Sequence, residues 1–172
     1  MAASRRLDRA GVSEARELLA RCCGSSRWVF GMLSRRPFGS DERLFALARE
    51  VWFALGTSDW LEAFNQHPTI GDRAALAARF DRTRDLSVRE QSSVGVASDA
   101  VLEALERGNY AYESKFGFIF IVCATGKSAD EMLARLEARL ANPPEVEIRI
   151  AAEEEAQITA LRLARLGEPR GD

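Results

Sequence analysis

The 172-residue chain carries 24 basic and 26 acidic side chains, a formal net charge of -2, and 47% of its residues are hydrophobic. This is the balance of a soluble globular domain: it offers no positive field for nucleic acid and it does not fit a disordered chain. No apolar run approaches the roughly 18 residues of a membrane span; the longest, Phe116 to Ala124, contains Gly117.

Taken in chain order, the signals are helical almost throughout. The opening "MAASRRLDRAG" lacks the apolar core of a secretory signal. Ser13 is placed to cap a helix whose Ala15, Leu18, Leu19, Cys22 and Cys23 recur every three or four positions. Gly24-Ser25-Ser26 breaks it before a short helix over "RWVFGML". Ser40-Asp41 opens a third, with Leu44, Leu47, Ala48, Val51, Trp52 and Leu55 on one stripe and Gly56 as its stop. Asp59 and Glu62 form a capping-box-like start to "WLEAFNQ", which must end by His67 because the residue before a proline leaves the α region. "DRAALAARF" reads as a short helix, and Ser87 with Glu90 as a capping box leading towards "VLEALERGNYAYESKFG". The segment "KFGFIFIVCA" has no second strand pattern to pair with and reads as an extended stretch running into a buried helix. Ser128 and Glu131 make a further box, with Met132, Leu133, Leu136 and Leu140 inward. Asn142-Pro143-Pro144 stops that helix, and a long last one carries Ile148, Ala151, Ala152, Ile158, Leu161 and Leu166. The expectation is a single all-α domain over 1–172, with its core at about 12–166 and about eight helices.

Few residues offer chemistry. Cys22, Cys23 and Cys123 lack the C-x-x-C spacing of zinc sites, so no metal is expected; they suit a reducing cytosol, and the closing "LGEPRGD" carries no peroxisomal tripeptide. Gly126-Lys127-Ser128 resembles part of a phosphate loop, but the required earlier glycine is Ile121, and a helix start explains the residues better. His67 is the only histidine, set in "NQHPTIGD". A helix-end histidine often serves only the dipole, yet Pro68 and Gly71 fix the backbone around this ring, and imidazole exchanges protons near neutral pH. Glu90 caps a helix start, which is also an anion cradle. Arg162 lies beside an apolar stripe and either snorkels or meets a buried anion.

The blocks "CCGSSRWVFGM", "RPF", "DWLEAFNQHPTIGD", "SVREQ", "NYAYESKFGFIFIVCATGKSADEML" and "ALRLARL" stand in one order. Together they resemble the 2-oxo-4-hydroxy-4-carboxy-5-ureidoimidazoline (OHCU) decarboxylases, enzymes of urate breakdown, over about Val12 to Leu166. The resemblance implies that His67 is the catalytic proton carrier, with Glu90 as its catalytic companion. It implies that Pro68 holds the ring, that Ser87 and Gln91 line the pocket, and that Phe120, Ile121, Val122, Cys123 and Ala124 offer main-chain groups to the heterocycle. Arg162 would pair with an oxygen of the ligand. No cofactor is implied, the partner is a small-molecule ureidoimidazoline, and a homodimer in the cytoplasm is expected. Ile119 stands where many relatives have proline, which frees φ and adds a donor. The rival reading is a helical interaction module that exposes the faces "AEEEAQ" and "RLEAR".

Overall fold

The structure, a computed structural model, describes residues 2–67 and 99–168. Among them are eight helices and no strand: α1 (Ala3–Arg9), α2 (Val12–Cys22), α3 (Ser26–Leu33), α4 (Asp41–Phe53), α5 (Thr57–Phe64), α6 (Asp99–Phe116), α7 (Ala129–Leu140) and α8 (Pro144–Arg165). The described residues fall into two compact units, one of 2–67 with 152–168, the other of 99–151. None of the described helices is long and apolar enough to cross a membrane. The expected helix over "DRAALAARF" and the Ser87 cap lie outside the described residues.

In the first unit α3 packs on α2, α4 and α5, and α1 on α2 and α4. The stripe expected on α2 is buried as read: Ala15, Leu18, Leu19, Cys22 and Cys23 are all below 6% exposure. Trp28, Met32, Phe38, Leu44 and Phe64 are fully buried, each contributing about 1.5–3 kcal/mol of hydrophobic stabilisation. Tryptophan N–H groups tie the helices: Trp28 Nε1 donates to Ala48 O at 3.0 Å and Trp52 Nε1 to Ala152 O at 2.9 Å. Thus each indole satisfies its one polar atom while filling the core.

Local chemistry moves several boundaries. Val12 begins α2 with Gly11 as its N-cap, so Ser13 lies inside the helix and caps nothing. Gly56 does not close α4, which ends at Phe53; it opens α5, where its N–H donates to Asp59 Oδ2 at 3.3 Å. Glu62 turns away from that box and accepts from the N–H and Oγ of Ser26. The short α1 is an addition to the expected elements. With one apolar turn and no cap of its own, it is held from a distance by Asp41, whose carboxylate accepts from Ser4 N at 2.7 Å and Ala3 N at 3.4 Å. One acid thereby serves the N-termini of two helices, and those hydrogen bonds, Ser4's first, hold its pKa below the ordinary 3.8.

In the second unit α6 packs along α7. Gly117, at φ 76°, ends α6 in the left-handed region, its N–H donating to Glu113 O at 2.8 Å. The chain then runs without helix until Ser128, whose side chain caps α7 while Glu131 returns the bond, the box expected there. Phe118, Phe120, Ile121, Val122 and Cys123 are consecutive or alternate buried residues of this stretch. The helix it leads to begins only at Ala129, after a turn in which Lys127 N donates to Ala124 O. On α8 Leu163, not Leu161, is buried; Leu161 is 37% exposed.

Candidate active site

The "DWLEAFNQH" segment winds as α5 with Ala63 and Phe64 fully buried, and the chain turns beyond it with His67 N–H donating to Phe64 O at 3.1 Å. That turn delivers the sole imidazole to the last helix. His67 Nε2 lies 2.6 Å from Glu155 Oε2; the histidine side chain is 14% exposed and the glutamate fully buried. Ala152, Glu155, Thr159 and Leu163, spaced three, four and four residues apart, form a buried stripe on this part of α8, with Glu154 buried beside it. A carboxylate at a core-spaced position of a helix is the signal that reveals Glu155. In the sequence it is hidden inside "AEEEAQ", expected as an exposed face; Glu154 and Glu155 are buried, while Glu153 forms a bidentate pair with Arg49 at 2.9 and 3.0 Å.

Two helical turns on from Glu155, Arg162 points to the end of α2, its Nη1 donating to Cys22 O at 3.2 Å. A guanidinium on a terminal helix carbonyl satisfies an orphan acceptor and matches the dipole. Around it is a cavity of about 520 Å³ whose wall includes Arg16, Arg21, Arg162, Cys23, Ser25 and Gln66. Three guanidinium groups on one concavity suit an anionic ligand, and arginine's planar fork suits carboxylate oxygens in particular. Gly24 allows the wall to close: a Cβ there would lie 2.5 Å from Gln66 Cγ and 3.3 Å from Ala63 Cα. So the "CCGSS" break and the residue before His67 meet because one position has no side chain.

Cys23 is no nucleophile in this wall. Burial pushes its thiol up to about 12, and that of Cys22 to about 11, leaving both protonated and inert at neutral pH. Ser25 is committed as well, its side chain accepting from Trp28 N at 3.3 Å as the N-cap of α3. Among the described residues, no group of three or more His, Cys, Asp or Glu is placed to hold a metal.

The stretch Phe120 to Ala124 belongs to the second unit, where a buried polar network braces it. Arg139 Nη1 donates to Ile121 O at 2.7 Å and Nε to Glu147 Oε1 at 2.7 Å. Tyr112 donates its hydroxyl to the same Glu147 oxygen, and Asn142 Nδ2 donates to the other at 2.7 Å. Burial, outweighing the nearby guanidinium, raises the Tyr112 pKa. Lys127 Nζ donates to Cys123 O. Carbonyls of alternate residues, 121 and 123, are thus each held by a cation. Of the other residues singled out in the sequence, Pro68, Ser87, Glu90 and Gln91 lie outside the described residues.

An all-helical chain with one imidazole against a buried carboxylate and a guanidinium-lined cavity has the make-up of a small-molecule enzyme acting on an anion. Comparison with known proteins is specific. The family model described as OHCU decarboxylase matches residues 8–164. Over 147 residues the chain is 44% identical to the uric acid degradation bifunctional protein TTL of Arabidopsis thaliana, covering 84% of this chain and 45% of that one. It is 32% identical over 134 residues to the 2-oxo-4-hydroxy-4-carboxy-5-ureidoimidazoline decarboxylase of Haloferax volcanii, covering 76% of this chain and 75% of that protein. It therefore spans less than half the length of the plant relative but three quarters of the archaeal one. A crystal structure of an OHCU decarboxylase in the presence of (S)-allantoin matches with a TM-score of 0.69 at 37% identity, covering 86% of this chain and 94% of that chain. An (S)-allantoin synthase shares the fold, with a TM-score of 0.69 at 22% identity over 95% of this chain and 53% of the other. The chain belongs to the OHCU decarboxylase family.

Proposed function

We propose that the protein decarboxylates OHCU to (S)-allantoin and carbon dioxide, with His67 as the proton carrier. The observation that carries this reading is the sole imidazole of the chain, paired with a buried carboxylate, next in sequence to a residue of the arginine-lined cavity, inside a family match that runs through it. The chemistry asks little beyond placement. As the bond to the carboxylate breaks, its electron pair passes into the neighbouring C=N of the ring, and carbon dioxide leaves. A proton then adds to the carbon bearing the ureido group while the neighbouring hydroxyl gives its proton to the ring nitrogen and becomes the carbonyl, and delivery from one face sets the configuration. Arg162, with Arg16 and Arg21 in the same wall, supplies the positive charge that orients an anionic substrate. The roles of Pro68, Ser87, Glu90, Gln91 and of the main chain from Phe120 to Ala124 are part of the same proposal and rest on the sequence blocks alone.

The wider setting is likewise a proposal. The family match crosses both compact units, which supports reading them as one domain. Three buried free cysteines suit a cytoplasmic enzyme, and Phe30, 74% exposed on α3, supports a homodimer, which light scattering of the purified chain tests. The test of function generates OHCU from urate with urate oxidase and hydroxyisourate hydrolase, and follows ultraviolet decay together with circular dichroism. Faster decay and accumulation of one allantoin enantiomer are expected, lost by about 10²- to 10⁴-fold in His67→Ala. Unchanged decay with racemic product overturns the assignment.

A further inference from the structure

We infer that Glu155 is the positioning residue of His67: it holds Nε2, so that Nδ1 is the nitrogen that exchanges the proton with substrate. The inference rests on His67 being the proton carrier. Its basis is a contact of 2.6 Å between Nε2 and a carboxylate with no exposure at all. A fully buried carboxylate is costly unless it meets a complementary group, and among the described residues the imidazole is the ionisable cation in contact with it. The anchor is also stiff. Glu155 rises from the middle of a 22-residue helix, with Ala151 and Ala152 buried before it and Thr159 buried after it. Thr159 is itself directed to Cys22 O, at 3.5 Å. A rigid helix thus sets the angle of a ring whose own backbone lies just beyond the end of α5.

The two nitrogens of an imidazole point to different sides of the ring, and the hydrogen bond made by one decides which proton the other carries. Neither Glu155 oxygen has a hydrogen-bond partner among the described residues, so the 2.6 Å contact is an ion-pair approach; an Nε2–H turned onto that oxygen leaves the neutral ring presenting the Nδ1 lone pair. When protonated it carries a second N–H on Nδ1. In the transfer, that Nδ1–H bond breaks and a C–H bond forms at the substrate carbon, returning the ring to the tautomer Glu155 already holds. No rotation of the ring is needed between turnovers. Glu90, the carboxylate named by resemblance, is then free for the ureido and hydroxyl groups of the substrate.

One histidine in 172 residues makes the test direct, since labelling with [¹⁵N]histidine gives a single imidazole. In the wild type a downfield N–H resonance, coupled to Nε2, is expected. It should broaden into solvent exchange in Glu155→Ala. Glu155→Gln keeps the volume and removes the buried charge, so it secures the comparison if the alanine variant folds poorly by circular dichroism. In the OHCU assay Glu155→Gln should lower kcat by about 10- to 100-fold, the range for a partner that orients another group, with KM changed less than threefold. A resonance coupled to Nδ1 instead, or folded Glu155 variants that keep both the Nε2–H signal and kcat, overturns the inference. A wild-type chain that does not accelerate OHCU decay defeats the functional reading instead, while the resonance still judges the anchor.

Discussion

Replacing Arg139 with methionine keeps a long side chain in the second unit but removes its charge and its donors. In the structure that guanidinium is 10% exposed and Glu147 is fully buried. Arg139→Met leaves Glu147 with Tyr112 and Asn142 as donors but no cation, takes the donor from Ile121 O, and strips a cation from the Phe120 ring, 4.6 Å away. Breaking a buried pair by removing one partner costs about 3–5 kcal/mol, and an orphaned carbonyl about 1–3 kcal/mol. These overlap, so about 4 kcal/mol is expected. With a urea m-value of about 2 kcal/mol/M, the midpoint falls by about 2 M. The double variant Arg139→Met/Glu147→Gln should recover at least a third of that loss, because the uncompensated charge has gone. Equilibrium unfolding in urea, followed by circular dichroism, measures both. A midpoint shift under about 0.5 M in the single variant, or strictly additive losses in the double, refutes the reasoning.

Gly24→Ala places a methyl group within 3.3 Å of Ala63 Cα and closer still to Gln66; a loss of about 1–3 kcal/mol is expected from overpacking, with KM for OHCU raised, read by thermal denaturation and steady-state kinetics. Asp41 has a lowered pKa, so its contribution to stability is present above the ordinary value of 3.8 and is lost as pH falls through its folded value. The melting temperature of the wild type should therefore drop further than that of Asp41→Asn between pH 5 and pH 3. Cys22 and Cys23, raised to about 11 and about 12, stay protonated at pH 8. In a Cys123→Ser background a thiol reagent should label them only in denaturant, and rapid labelling of native protein contradicts the burial described. Because their folded values lie above the ordinary 9.0, they also make stability fall as pH rises through that region.

Periodicity was enough for the packed helices. The inward residues of α2 and the apolar stripe of α4 recur at helical spacing, and Ser128 announces α7 through a box that both partners complete. What periodicity could not see is support from far along the chain. α1 has one apolar turn, and its cap comes from Asp41, nearly forty residues on. Glu62 matched a capping box by spacing, yet a hydroxyl and an N–H at Ser26 compete for it and win. The site divides the same way. His67 stands out through its uniqueness and its Pro-Gly setting, and Arg162 through a charge beside an apolar stripe. Glu155 does not, because three consecutive glutamates sweep about 200° of helix surface and only tertiary packing decides which face is inward.

The pairing of His67 with Glu155 joins residues about ninety positions apart, and the first compact unit is built from both ends of the described chain. Bringing such distant segments together has an entropic cost that grows with the logarithm of the loop, about 4 kcal/mol here before any contact offsets it. Local helices form on far shorter timescales than contacts of that span. A refolding chain should accordingly regain most of its helical signal before it regains turnover, with a lag that lengthens when α8 is weakened and leaves the final rate per folded molecule unchanged. If His67 is the proton carrier proposed above, competence to react with substrate is then a late event in folding, set by the docking of α8 rather than by the formation of α5.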